Sequence, residues 1–297
     1  MRRRAGGAWV VGLKVLITGA GGQLGCEISR LASSQPDLEL IAASSGQLDV
    51  GDRETVLSAV EAYRPSLVIH AAAWTAVDAC EADPGKAFRV NALGSRNVAE
   101  AAQRYGAHLV ALSTDYVFDG TLSRPYNEWD QTNPLSVYGA SKLAGEREVL
   151  AVCPGASVVR TSWVCGAFGS NMVKTILRLA AGDGPLRFVD DQFGCPTFTS
   201  DLAVAVLRLG RDRAPGIAHV TNQGATSWYQ FARDVVVASG GDQDRVQAIT
   251  TEQLQPPRPA PRPRNSVLDN AVLRLSGRGL LDDYHEPLNR AVKELLA

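Results

Sequence analysis

Short apolar runs alternate with amphipathic stretches through the first half of the chain. The pattern predicts strands at Lys14–Thr18, Leu38–Ala43, Leu67–His70, His108–Ser113 and Ser157–Arg160. Between them the spacing predicts helices at Gln23–Ser33, Arg53–Tyr63, Gly85–Arg104 and Val137–Ala151. The strands are apolar without alternation, as expected when both faces of a sheet are covered. Repeated strand–helix–strand units with right-handed crossovers give an α/β fold, a doubly wound parallel Rossmann sheet. The second half is less regular, with helical periodicity at Ser170–Ala181, Ser200–Leu209, Ser227–Ala238 and Pro287–Leu296. This division predicts a dinucleotide-binding domain over 13–165 and a smaller C-terminal α/β lobe that binds substrate over 166–297, partly interleaved with the first.

Residues 1–12 read as a disordered extension. Met1-Arg2-Arg3-Arg4 looks like the start of a signal peptide, but the apolar run continues straight into the first strand without a small-residue cleavage site. No apolar stretch reaches the 18 residues of a membrane span. A net charge of -1 and sparse aromatics give no electrostatic case for nucleic acid. Five cysteines form no C-x-x-C pair, and four widely spaced histidines offer no zinc pattern. A reduced, cytoplasmic setting is the simple reading.

Gly19-Ala20-Gly21-Gly22-Gln23-Leu24-Gly25 sits between the first strand and first helix. Glycines there permit a tight turn and let backbone N–H groups approach a pyrophosphate. The second strand ends Ala43-Ser44-Ser45, without the carboxylate that would select the ribose of NAD. NADPH is favoured by that omission, with NADH still open. Asp49 either binds the adenine amino group or caps the helix at Arg53. After the third strand, Ala71-Ala72-Ala73 allow a flat cofactor to pack on the backbone, and Asp78 reads as a helix cap. After the fourth come Thr114 and Asp115. Further on, Tyr138 and Lys142 stand one helical turn apart, so an ammonium beside a phenol lowers its pKa. Thr114, Tyr138 and Lys142 thus make a proton-delivery unit at the strand ends. Trp163 is either a core aromatic or a platform for a sugar or base, and Asp191 and Gln192 either a turn or part of the substrate lobe. The proline-rich 255–264 is either a stiff connection or, through Arg258, Arg262 and Arg264, a loop against a substrate phosphate.

Several segments together resemble the extended short-chain dehydrogenase/reductase superfamily and, more narrowly, the dTDP-4-dehydrorhamnose reductase family. They are the glycine loop, Ala71–Asp78, Ser113–Gly120, Pro134–Glu146, Arg160–Val164, Asp191–Thr197 and Arg262–Ser266. The resemblance runs over nearly the whole chain from Leu13. It implies reduction of the C4 keto group of dTDP-4-dehydro-β-L-rhamnose. Tyr138 is implied as proton donor, Lys142 as ribose ligand and Thr114 as partner of the carbonyl. Substrate contacts are implied from Asp115 and Trp163, and cofactor contacts from Gly22, Gln23, Leu24, Asp49, Val50 and Ala71 to Ala73. Some members are implied to hold Mg²⁺ at a homodimer contact, where Glu27 matches an acid on the first helix. Two other readings stay open. One is another nucleotide-sugar reductase or epimerase; a 4,6-dehydratase would carry an acid where Tyr116 stands. The other is a non-catalytic regulatory subunit of the methionine adenosyltransferase type.

Overall fold

The computed structural model describes residues 2–3, 9–10 and 12–297. The expected extension over 1–12 therefore lies almost wholly outside the described residues. The central sheet has strands β1 (Leu13–Thr18), β2 (Leu38–Ala43), β3 (Leu67–His70), β4 (His108–Thr114), β5 (Ser157–Thr161) and β6 (Gly216–His219). Their order is β6-β5-β4-β3-β1-β2, with every pairing parallel. β6 is absent from the sequence reading. It pairs with β5 from Gly216↔Ser157 to His219↔Arg160.

Alternate residues of each strand feed two separate cores. Leu16, Val68, Leu109 and Val158 pack with helices α2 (Arg53–Tyr63), α3 (Gly94–Tyr105) and α4 (Val137–Val152). Val15, Ile17, Ile69, Val110 and Val159 pack on the other face with α1 (Gln23–Ser33) and α5 (Thr199–Arg211). This is why the strands read as unbroken apolar runs. The doubly wound sheet is thereby present as expected.

The C-terminal lobe has its own core of Val173, Ile176, Phe198, Phe231, Val235 and Leu288. It contains a parallel pair, Leu186–Val189 with Val246–Ile249, that the hydrophobic pattern does not announce. The stretch expected as one helix over 85–104 is broken. Pro84–Phe88 is α-helical, Arg89–Leu93 forms a π turn, and α3 follows.

The chain order reverses between β1 and β3, which places the C-terminal ends of these strands around a crevice. The glycine loop leaves β1, and Ala71–Ala73 leave β3, at this point.

Candidate active site

The glycine loop is shaped by close approach. Gly19 has φ +74°, and a Cβ on it would stand 2.6 Å from the Ala72 nitrogen. A Cβ on Gly25 would stand 2.5 Å from the Gly19 carbonyl oxygen and 2.6 Å from Ala20 Cα. Gly22 is the N-cap of α1 with no side-chain cap and no acid in the first turn. The first N–H groups of α1, at Gln23 and Leu24, are therefore free of a competing carboxylate. Together with the half-buried Ala71–Ala73, this cradle fits a dinucleotide diphosphate.

Other expected cofactor residues are placed less directly. The Gln23 side chain donates to the Val164 carbonyl (3.2 Å) and accepts from Asn171 (3.1 Å), so it ties the loop to the C-terminal lobe. Val50 is buried, and its carbonyl accepts from Asn97. Asp49 accepts from the Gly51 N–H (2.9 Å) and pairs with Arg89 (3.3 Å). The helix cap is Asp52 instead, which accepts from Glu54 and Thr55.

β4 ends at Thr114, whose hydroxyl donates to Asp115 Oδ1 (3.0 Å) and accepts from the Tyr116 N–H. Asp115 is fully buried and its Oδ2 has no partner. Burial pushes its carboxyl up to about 6, against the hydrogen bond from Thr114. Tyr138 lies in the first turn of α4, which Ser136 caps through the Gly139 N–H (3.1 Å). Its ring meets Tyr116 edge-on at 5.9 Å. Burial raises the Tyr138 phenol.

The expected lowering of that phenol by Lys142 is not found. The Lys142 Nζ donates to the Leu112 carbonyl (2.7 Å), so its charge is spent on the end of β4. Burial lowers Lys142 to about 8, and Glu146 opposes this. His70, on β3, is bridged by Thr18 (2.8 Å) and Ser95 (3.1 Å). Burial and then Lys142 lower it to about 3, so it is neutral near pH 7.

The structure brings in residues that the sequence reading missed. Asn91, in the π turn, clamps Trp74 through both backbone groups and donates to Ser141 Oγ (2.9 Å). Ser141 in turn donates to the Tyr138 carbonyl (2.8 Å). A lone Asn carries no periodic signal, because its partners come from two separate segments.

Trp163 has φ +45° and stacks on Trp228 at 3.5 Å with planes 7° apart. The Gly194 backbone also lies against the indole. Its packing in the lobe core is thus established by geometry. Asp78 does not cap its helix. Ala76 occupies that position, and Asp78 forms a two-bonded ion pair with Arg262 (2.6 and 2.7 Å). Arg262 is therefore not a free phosphate donor. Asp191 accepts from Thr251, and Gln192 donates to the Thr251 hydroxyl, so both shape the lobe.

The residues around Glu27 do not fit a divalent cation. Its carboxylate is buried and held by Arg30 (2.5 and 3.1 Å), which also reaches Glu294 (3.3 Å). No cluster of three metal-ligating side chains occurs among the described residues.

A family model described as the RmlD substrate binding domain matches residues 13–297. The chain belongs to the dTDP-4-dehydrorhamnose reductase family. A Streptomyces griseus dTDP-4-dehydrorhamnose reductase is 44% identical over 286 residues, covering 94% of this chain and 93% of the relative. The crystal structure of a Clostridium acetobutylicum dTDP-4-dehydrorhamnose reductase superposes with a TM-score of 0.91 at 40% identity, covering 96% of this chain and all of that one. That of the Bacillus anthracis reductase in complex with NADP gives 0.90 at 36% identity, covering 95% and 99%. As a member of this reductase family, the chain is an oxidoreductase. Among its described residues no helix is long and apolar enough to cross a membrane.

Proposed function

We propose that this chain reduces the C4 ketone of dTDP-4-dehydro-β-L-rhamnose with NADPH, giving dTDP-β-L-rhamnose. The observation that carries the reading is the convergence of Thr114, Asp115 and Tyr138 at the sheet's C-terminal edge, beside a loop shaped for a dinucleotide. The Bacillus anthracis relative's NADP complex and the absence of an acid after β2 support NADPH. Bound in the cradle, NADPH supplies the hydride.

The protein's own residues supply the rest. Negative charge grows on the carbonyl oxygen as the hydride arrives. Tyr138 donates the proton that neutralises it, and the Thr114 hydroxyl donates a hydrogen bond to the same oxygen. In the free protein the Thr114 proton goes to Asp115 and turns to the substrate oxygen on binding, while the unpartnered Asp115 Oδ2 is available to a sugar hydroxyl. Lys142, buried beneath Tyr138 on α4, holds the nicotinamide ribose in its ammonium form. Trp163, with its faces covered, offers only an edge to substrate.

The test is coupled turnover of dTDP-4-dehydrorhamnose with NADPH against NADH, the product identified by NMR. Tyr138→Phe is expected to lower kcat by ~10²–10⁴-fold, the range for a lost general acid, with little change in NADPH affinity. Cofactor binding without turnover of any 4-keto sugar nucleotide would favour the regulatory-subunit reading instead.

A further inference from the structure

Tyr138, Lys142 and Glu146 recur at every fourth position of α4 and so form one stripe along the helix. That stripe faces the C-terminal end of β4. Lys142 Nζ donates to the Leu112 carbonyl (2.7 Å). One residue on, the Ser113 hydroxyl donates to Glu146 Oε1 (2.5 Å). Thr114 then lies beside Tyr138. Three consecutive residues of β4 thus meet three turns of α4, though not in the order of the helix.

Glu146 is the centre of a buried charge group. Arg160, paired with Ser113 in the β4–β5 register, donates to it through Nε (2.9 Å) and Nη2 (2.7 Å). Both side chains are 3% exposed. The guanidinium also lies 5.2 Å from the Phe118 ring centroid. A buried pair of this kind is weak evidence for stability alone, since apolar residues often replace it without loss. Its value must lie elsewhere, and the nearby buried group that needs it is Lys142.

We propose that Glu146 is a positioning residue of the reaction: locked to Ser113 on β4 and Arg160 on β5, it ties α4 to the sheet one turn beyond Lys142 and so holds that ammonium at the end of β4. This rests on the reading that Lys142 serves the reaction as an ammonium. The other groups facing Lys142 do not replace Glu146. On β3, His70 is neutral near pH 7 and, if charged, would repel the ammonium. Tyr138, on α4 itself, is raised by burial and stays protonated. Ser95 and Ser113 carry no charge. Arg160, on β5, is taken up by Glu146 and has the wrong sign. Burial already brings Lys142 down to about 8, and Glu146 is the group that opposes it. Without that carboxylate, nothing opposes the lowering of Lys142 by burial.

The experiment is Glu146→Gln in the full-length protein. Two quantities are followed from pH 6 to 9.5: kcat/KM, and the NADPH dissociation constant by fluorescence. Activity falls as pH rises through the Lys142 pKa, and the variant is expected to move that limb down by about one unit. The loss is then about tenfold near pH 8.5 but within about twofold at pH 6.5, with NADPH affinity weakening over the same interval. A merely structural role would lower activity equally at all pH values and leave the limb in place, which overturns the proposal. Should the single variant fail to fold, Glu146→Gln/Arg160→Met removes both buried charges. It breaks the tie between α4 and the sheet without leaving a lone buried charge, and is expected to weaken NADPH binding and kcat/KM severalfold; if both stay unchanged, the proposal is overturned. Lys142→Met separates the two levels. If that variant retains turnover, the reading of Lys142 itself fails. If it is inactive while the Glu146 variants show no shift, only the role of Glu146 fails.

Discussion

Asp115 sits with one carboxylate oxygen on the Thr114 hydroxyl and the other without a partner, and burial raises it to about 6 from 3.8. An acid whose pKa is higher in the folded than in the unfolded state binds more protons when folded. Its contribution therefore weakens the fold as pH rises from about 4 to about 6, and the cost is fully present above that. Asp115→Asn keeps an acceptor for Thr114 and removes the buried charge. Its melting temperature is expected to exceed that of the natural protein by roughly 2–6 °C at pH 7.5, with the gap closing near pH 4. Differential scanning fluorimetry across that range checks it, and a gap independent of pH would contradict the burial argument. Turnover is expected to fall in the same variant, because the unpartnered oxygen is the group offered to substrate. The residue types of this unit were legible from sequence, since Thr114 ends a strand and Tyr138 and Lys142 share a helix face. The electrostatics were not. The sequence spacing placed an ammonium beside a phenol, whereas folding directs that ammonium to the Leu112 carbonyl and leaves Tyr138 raised by burial.

At the scale of elements, the β1–loop–α1 unit is built by backbone contact rather than by side chains. Gly25→Ala would place a methyl 2.5 Å from the Gly19 carbonyl oxygen, and both contacting groups are backbone. The expected cost is about 1–3 kcal/mol of stability, together with weaker NADPH binding as the loop is displaced. Gly21→Ala meets nothing within 4 Å and is expected to leave the melting temperature within about 1 °C. Denaturation of the two variants side by side decides it. β3, β4 and β5 could be read from the chain because each is buried on both faces and so runs largely apolar, and β1 and the edge strand β2 carry a single charged residue each in otherwise mainly apolar runs. β6 could not: Gly216-Ile217-Ala218-His219 is short and mixed, and becomes a strand only because β5 presents an edge to it. The π turn at Arg89–Leu93 was hidden for a similar reason. Its extra residue serves the contacts of Asn91 with Trp74 and Ser141, which are far apart in sequence.

Across the whole molecule, the proline-rich segment 255–264 closes the C-terminal lobe onto the dinucleotide-binding domain. The Asp78–Arg262 pair makes that closure, reinforced by the Ala260 N–H on the same carboxylate. Arg262 is 8% exposed and Asp78 41%, so loss of the arginine leaves a carboxylate that water can reach. Arg262→Ala is therefore expected to cost only about 1 kcal/mol in global stability. Its main effect should be local: faster cleavage within 255–264 under limited proteolysis and a higher KM for the sugar nucleotide. Tyr138→Phe should change neither the cleavage pattern nor its rate. The chain by itself determined the doubly wound class and the glycine loop after β1, and it singled out the residues proposed for proton delivery, because periodicity and local spacing carry those directly. Only the tertiary structure decided the partners of the charged groups. Arg262 goes to Asp78, Arg30 to Glu27, and Lys142 with Arg160 to the end of β4 and Glu146. Most of these pairs join segments separated by many residues. The strength of each depends on burial, and burial is settled only when the two faces of the sheet and the C-terminal lobe have packed.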